Sequence, residues 1–274
     1  MKTFRSSDGL RLAYRDSGSG RAVLCLAGLT RNSRDFDYMV SVLKNVRIIA
    51  PDYRGRGESD WDPNLDNYSP IVEARDAVEL LDHLGLERVP VIGTSRGGII
   101  AMVIAATNAD RLSGVVLNDI GPVIEPAGLE RIKRYIGRNP TETRFVDAAK
   151  AMAADSPGFS GVPSERWVDE ARHRYRQTGD RLEINYDAGL RSAVLAALDK
   201  GAPDLWPFFD AMRTLPVTVI RGSNSDLLSV GTVCEMRARH ASLAAVEIPG
   251  RGHCPFLDEP LCCTAIEEFL ALVH

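Results

Sequence analysis

The chain has 274 residues, of which 45% are hydrophobic and 26% charged, and its formal net charge is −4 at pH 7. These fractions are ordinary for a globular protein and exclude a disordered, collagen-like or small disulfide-scaffold protein. The negative charge disfavours nucleic acid as a partner, the longest apolar stretch is about half of a membrane span, and the polar first ten residues predict a cytoplasmic protein without a signal peptide.

Strands and helices are predicted to alternate along the chain. A strand with alternating apolar and polar residues is predicted first, and short apolar runs typical of strands buried on both faces follow it; the seven predicted strands are 10–16, 22–27, 47–52, 89–93, 114–117, 217–221 and 245–248. Helical patterns lie between or after them, at residues 35–43, 68–84, 97–107 and 259–272. This order predicts an α/β fold with a mostly parallel, doubly wound sheet and right-handed crossovers.

One stretch, residues 122–203, breaks this alternation, and we call it the insert segment. It has helix-like sequence, turn clusters at 138–140 and 156–158, and no convincing strand. Its central part, 129–181, carries eleven Lys or Arg against eight Asp or Glu, although the whole chain is negative; a solvated helix surface is the ordinary explanation. We predict a helical cap or lid at 122–203, inserted into a discontinuous core formed by residues 1–121 and 204–274.

The pattern Gly93-Thr94-Ser95-Arg96-Gly97 lies between a predicted strand and a predicted helix. G-x-S-x-G in that context is typical of a nucleophile elbow, a tight turn that exposes a serine hydroxyl above the sheet edge. Glycine at both ends allows the strand and the helix to approach closely, and the N–H groups at the helix start point toward a developing oxyanion. We therefore predict Ser95 as the nucleophile, with an ordinary Gly/Ser turn as the alternative.

A serine hydroxyl needs an adjacent base before it attacks a carbonyl near neutral pH. Among the five histidines, His253 follows the last predicted strand in a glycine-rich loop, and loops at the carboxyl ends of parallel strands carry catalytic groups. The other four lie in helix-like runs or at the last residue: His83, His173, His240 and His274. We predict His253 as the general base.

The base needs a carboxylate that fixes its tautomer, and two aspartates follow predicted strands. Asp226 produces the chain order Ser, Asp, His that is usual for an elbow nucleophile. Asp119 directly precedes the insert segment, where it could instead stabilise a turn. We favour Asp226 and keep Asp119 as the alternative.

The cysteines predict no further chemistry. Their number is odd, they form no C-x-x-C pair, and they show no metal-ligand spacing with histidine: Cys25, Cys234, Cys254, Cys262 and Cys263. Reduced thiols are expected in a cytosolic protein. Cys254 adjoins His253, but neighbouring side chains diverge, and we do not expect a thiol nucleophile.

Taken together, these residues resemble the α/β-hydrolase superfamily in its cap-bearing branch. The resemblance spans nearly the whole chain and includes residues 27–29, 52–59, Ser95, Asp226 and His253. It implies an α/β-hydrolase fold and an oxyanion hole formed by the backbone N–H groups of Leu29 and Arg96. The family often has His-Gly where this chain has Ala27-Gly28. A serine at the elbow disfavours the dehalogenase and epoxide-hydrolase branches, whose nucleophile is aspartate.

The expected reaction is hydrolysis of a small carboxylic ester through an acyl-enzyme, without a metal or other cofactor. An enol-lactonase, a carbon–carbon bond hydrolase, a thioesterase, an acyltransferase and a receptor-like binding protein stay open. The expected partner is a small-molecule substrate, and the oligomeric state is not predicted. Arg31, Arg34 and Arg96 lie in or beside the loops that should frame the pocket, where a guanidinium could bind a substrate carboxylate. Trp167 is a candidate lining residue of the insert segment.

Overall fold

A computed structural model describes residues 1–199, 201 and 203–273 of the chain. Its main sheet has eight strands in the order β1-β2-β4-β3-β5-β6-β9-β10. These strands are β1 (Lys2–Arg5), β2 (Arg11–Gly18), β3 (Arg21–Leu26), β4 (Val46–Pro51), β5 (Val89–Thr94), β6 (Leu112–Asn118), β9 (Val217–Gly222) and β10 (Ala244–Ile248). A separate two-stranded hairpin is formed by β7 (Tyr175–Thr178) and β8 (Arg181–Ile184).

The prediction of a mostly parallel sheet is confirmed. β4, β3, β5, β6, β9 and β10 pair in parallel. At one edge β1 pairs antiparallel with β2, and β2 pairs antiparallel with β4. The central strands are buried on both faces, which is why they are continuous apolar runs in the sequence. β1 was not predicted, because it has four residues and only Phe4 among them is buried.

Helices cover both faces of the main sheet. The helices are α1 (Asp37–Val42), α2 (Pro70–His83), α3 (Arg96–Thr107), α4 (Pro126–Tyr135), α5 (Phe145–Ala154), α6 (Ser164–Arg174), α7 (Leu190–Asp199), α8 (Trp206–Asp210), α9 (Val230–Arg239) and α10 (Pro260–Leu272). The hydrophobic cluster on one face contains residues of α1 and α10. The cluster on the other face contains residues of α2, α3, α8 and α9. Within the described ranges, no helix is both long and apolar enough to cross a membrane.

The insert segment is mainly helical, but the expectation that it contains no strand is wrong. The β7–β8 hairpin turns at Gly179, which has a positive φ. β7 is polar and mostly exposed, whereas β8 alternates, with Leu182 and Ile184 buried between more exposed charged residues. This alternation is a strand signal that was missed, because it spans only four residues and lies among helix-like sequence.

The insert segment packs on a small hydrophobic cluster of its own and is bound to the rest of the chain through backbone hydrogen bonds. Trp167, Met152 and Leu182 belong to that cluster. The N–H of Gly57 donates to the carbonyl of Asn185 at 3.0 Å, and the N–H of Asp187 donates to the carbonyl of Gly55 at 2.8 Å. The division into core and lid stays a prediction. Its parts that fall on residues 200, 202 and 274 lie outside the described residues.

A buried histidine of the insert segment predicts acid sensitivity. His173, on α6, is 6% exposed and lies against the ring of Tyr38. Burial lowers its pKa to about 4, Glu170 opposes this shift, and Arg34 and Arg31 add to it. The unfolded chain therefore takes up this proton at higher pH than the folded chain, so stability falls as the pH drops from about 6.5 to 4.

We expect wild type to lose up to about 3 kcal/mol of stability relative to His173→Gln between about pH 7 and pH 4. Urea unfolding of the two proteins across this range measures the difference in the free energy of unfolding. A constant difference at every pH would show that His173 does not contribute to acid sensitivity.

Candidate active site

Ser95 occupies a tight turn between β5 and α3, in the strand–turn–helix context that its motif requires. Its backbone has φ 51° and ψ −112°, an unusual conformation for a residue with a side chain. A Cβ at Gly93 would lie 2.6 Å from the backbone of Gly97, and one at Gly97 would lie 2.0 Å from the carbonyl oxygen of Leu26. Both glycines are therefore needed for the close contact of strand and helix.

His253 lies in the loop after β10 and joins Ser95 to a carboxylate. Its Nε2 is 2.9 Å from Oγ of Ser95, and its Nδ1 is 2.7 Å from Oδ2 of Asp119. A carboxylate only accepts hydrogen bonds, so Nδ1 carries the proton and Nε2 is left to accept the proton of the serine hydroxyl. The three side chains can act as nucleophile, base and orienting acid.

The carboxylate of Asp119 is fully buried and held from three sides. Its Oδ1 accepts the N–H of Gly222 at 2.8 Å, and its Oδ2 accepts the hydroxyl of Ser225 at 2.6 Å as well as His253. Asp119 has φ 56° and follows β6 directly. The loop after β9 therefore orients this carboxylate but does not supply it.

The expectation that Asp226 orients His253 is wrong in this structure. The Asp226 carboxylate pairs instead with Arg131 of α4, with Nε–Oδ2 at 2.7 Å and Nη2–Oδ1 at 2.9 Å, and its side chain is 36% exposed. Asp226 lies four residues beyond the end of β9, whereas Asp119 follows its strand immediately. In the sequence, this shorter distance from the strand end is a signal that favours Asp119 as the partner of His253. It is a weak signal, because both aspartates lie in loops that follow a strand.

Leu29 and Arg96, whose N–H groups are the predicted oxyanion donors, are linked by a buried ionic bridge. Arg56 donates from Nε to the carbonyl of Leu29 at 3.1 Å, and its Nη2 lies 2.8 Å from Oε1 of Glu73. The other oxygen of Glu73 accepts Nε of Arg96 at 2.7 Å. Arg56 and Glu73 are fully buried. The bridge was not predicted, because it joins four separate segments of the chain. It also occupies the Arg96 side chain, which was a candidate for substrate binding.

Two cavities meet at Ser95, Leu29 and Ile132. The first, of about 140 Å³, also contains His253 and is lined by four arginines, Arg31, Arg131, Arg166 and Arg174; we call it the arginine cavity. The second, of about 420 Å³, is lined mainly by aliphatic side chains of α3, α7 and neighbouring loops; we call it the aliphatic cavity. The insert segment contributes walls to both.

The predicted substrate-binding residues have different surroundings. Arg31 lines the arginine cavity, where Asp35 and Glu170 hold its guanidinium. Trp167 lines the same cavity, but Arg34 does not, because it lies at the surface and donates to the carbonyl of Arg172. Arg174 was missed, since in the sequence it is one of many basic residues on helices of the insert segment.

Comparison with known proteins places the chain in a family. A family model described as alpha/beta hydrolase family matches residues 23–261. The chain is 35% identical to the 3-hydroxybutyrate-oligomer hydrolase of Cupriavidus necator, covering 94% of this chain and 92% of that protein. It is 29% identical to the putative 2-succinyl-6-hydroxy-2,4-cyclohexadiene-1-carboxylate synthase of Bacillus subtilis, covering 97% of each.

A solved structure agrees with this placement. The crystal structure of an alpha/beta hydrolase from Novosphingobium aromaticivorans superimposes with a TM-score of 0.90 at 38% identity, covering 99% of this chain and 98% of that one. The fold, the predicted resemblance and the match over most of the length agree. The chain belongs to the alpha/beta hydrolase family.

Proposed function

We propose that this hydrolase cleaves small carboxylic esters through an acyl-enzyme formed on Ser95. The observation that carries the proposal is the chain of hydrogen bonds from Ser95 through His253 to Asp119, with its serine end lining both cavities. A hydroxyl, an imidazole and a buried carboxylate in this order form the arrangement that activates serine for acyl transfer.

The proposed reaction has two halves. Oγ of Ser95 attacks the ester carbonyl while Nε2 of His253 takes its proton, and the N–H groups of Leu29 and Arg96 stabilise the oxyanion. His253 then returns the proton to the leaving alcohol as the carbon–oxygen bond breaks. Water attacks the acyl-serine with His253 again as base, which releases the acid and restores Ser95. Asp119 keeps the proton of the imidazole on Nδ1 throughout.

The insert segment is proposed to act as the lid over this site. Residues of α6 line the arginine cavity, and residues of α7 line the aliphatic cavity. Closing an active site against water strengthens the electrostatic interactions within it. Differences in this segment would then select substrates without changing the reacting groups.

The names of the relatives support an ester substrate that carries a carboxylate. A 3-hydroxybutyrate oligomer consists of hydroxy acids, which join through ester bonds and leave one free carboxylate. The Bacillus subtilis relative is named as a synthase of a carboxylate with a succinyl group, and this keeps carbon–carbon bond chemistry as the second candidate. Arginine suits a carboxylate because its planar guanidinium can bind both oxygens.

The test is covalent labelling combined with turnover. We expect a fluorophosphonate probe to modify Ser95, as read by mass spectrometry of the labelled peptide, and short acyl esters to be hydrolysed in competition with the probe. The substrate panel contains hydroxy-acid esters, enol lactones and ring-fission diketones. Labelling without turnover of any of them would support a binding protein, and turnover of diketones alone would support the carbon–carbon hydrolase.

A further inference from the structure

The two cavities differ in their relation to His253. The arginine cavity contains His253 together with Ser95, whereas the aliphatic cavity contains Ser95 and Arg96 but not His253. Leu29, which carries a proposed oxyanion donor, borders both. An ester bound across Ser95 would therefore have different chemical surroundings on the two sides of its carbonyl.

The position of His253 decides which side receives the leaving group. Nε2 must lie within hydrogen-bond distance of the leaving oxygen in order to protonate it. The alcohol part of the ester therefore belongs in the arginine cavity, and the acyl part belongs in the aliphatic cavity.

Within the described residues, one arginine of the arginine cavity has no carboxylate partner. Three of its four arginines contact carboxylates within 4 Å: Arg31 contacts Asp35 and Glu170, Arg131 contacts Asp226, and Arg166 contacts Glu170 and Asp258. Arg174 has no carboxylate within 4 Å among the residues that the structure describes. Asp35 and Glu170 also line the cavity, but both are already bound by Arg31.

Three nitrogen atoms of the arginines that line this cavity are buried without a hydrogen-bond partner in the described part of the chain: Nη1 of Arg31, Nε of Arg131 and Nε of Arg174. Nε of Arg131 lies 2.7 Å from the carboxylate of Asp226, which sets it apart from the other two. A buried donor without an acceptor costs free energy, so an acceptor from the ligand would be favourable here. A ligand carboxylate has the right charge and can accept from more than one nitrogen.

The aliphatic cavity is lined mainly by uncharged, apolar side chains, in contrast to the arginine cavity. Its walls include Ile99 of α3, Ile124 before α4 and Val194 of α7. Its charged lining residues within the described chain are Asp66 and Arg96, and Arg96 is already bound to Glu73. An acyl chain of methylene groups gains about 0.8 kcal/mol for each one buried in such surroundings.

We propose that the enzyme binds esters in one direction, with an aliphatic acyl group in the aliphatic cavity and a hydroxy-acid leaving group in the arginine cavity. The carboxylate of the leaving group binds Arg174 and Nη1 of Arg31. This inference rests on the proposed ester hydrolysis and adds its direction. Such an enzyme removes a hydroxy acid from the end of its substrate that bears the free carboxylate.

Two isomeric esters test the direction. In 3-(hexanoyloxy)butanoate the carboxylate is on the alcohol part, whereas in monohexyl succinate it is on the acyl part. We expect wild type to hydrolyse the first with a kcat/KM at least about tenfold higher, which corresponds to about 1.4 kcal/mol. The methyl ester of the first compound, which lacks the charge, should resemble the second.

Variants test one residue in each of the two cavities. Arg174→Gln should remove most of the preference for the charged substrate over its methyl ester, and Arg174→Lys should keep part of it. Arg172→Gln is the matched control, since Arg172 lies on the same helix, is exposed and does not line the cavity. Val194→Trp should lower kcat/KM for the hexanoyl ester more than for 3-acetoxybutanoate, because the larger side chain fills the aliphatic cavity.

The outcomes separate the two proposals. Preference for monohexyl succinate, or a preference that Arg174→Gln leaves intact, would overturn the direction while ester hydrolysis stands. Absence of Ser95-dependent hydrolysis of every ester would overturn both. Circular dichroism and a thermal midpoint close to wild type establish that each variant is folded. If Arg174→Gln does not fold, Arg174→Lys is used for the test in its place.

Discussion

Replacing Ser95 by alanine is expected to lower kcat/KM for ester hydrolysis by roughly 10⁵- to 10⁶-fold. The hydroxyl of Ser95 is the group that His253 contacts at 2.9 Å, and without it no acyl-enzyme forms. The fold should not suffer, because the strain of the elbow lies in the backbone and alanine has the same Cβ. Steady-state kinetics with a nitrophenyl ester and a thermal melt measure the two effects.

The control for this change is Ser160→Ala, which removes a serine hydroxyl from an exposed position in the insert segment. It should keep activity within about twofold of wild type, since exposed substitutions away from special features have small effects. Ester hydrolysis by Ser95→Ala at a rate close to wild type would contradict the assigned nucleophile.

Asp119→Asn is expected to reduce kcat by about 10³- to 10⁴-fold, whereas Asp226→Asn should change it only a few-fold. An asparagine amide at position 119 can donate to Nδ1 of His253, which favours the tautomer that cannot accept the proton of Ser95. Asp226 is bound to Arg131 instead, so its loss should affect the arrangement of α4 more than the chemistry.

The comparison of the two aspartates also separates catalysis from folding. Both variants keep the size of the side chain, and the free energy of unfolding of each is measured by urea titration beside its kinetics. If Asp226→Asn loses as much activity as Asp119→Asn while both stay folded, the hydrogen bond between Asp119 and His253 does not represent the working enzyme.

Most of the sheet and two residues of the hydrogen-bonded chain could be predicted from the sequence because their signals are local. A buried parallel strand is a continuous apolar run, and the elbow needs glycine on both sides of Ser95 within five residues. His253 could be selected because it alone among the histidines follows a predicted strand in a glycine-rich loop. These features depend on the neighbouring residues and hardly at all on the path of the chain elsewhere.

The remaining features depend on contacts between distant segments. The choice between Asp119 and Asp226 depends on which loop turns toward His253, and both loops follow a strand at the same edge of the sheet. Glu73 connects two arginines that lie 17 and 23 positions away along the chain. Arg174 differs from the other basic residues of the insert segment because it lines the arginine cavity and, among the described residues, contacts no carboxylate. None of these relations leaves a pattern in a short stretch of sequence.

The position of Asp119 has a consequence for how this enzyme can diversify. In the proposed mechanism the nucleophile and the orienting carboxylate come from one compact unit, β5–α3–β6 with the residue after it, and the base comes from beyond the insert segment. Insertions or deletions between residues 122 and 203 leave the Ser95–Asp119 unit continuous. In the proposed mechanism position 226 has no catalytic role, so it can vary together with α4, whose Arg131 contacts it. In evolution or in design, new specificity can then arise in the proposed lid without loss of the proposed reacting groups.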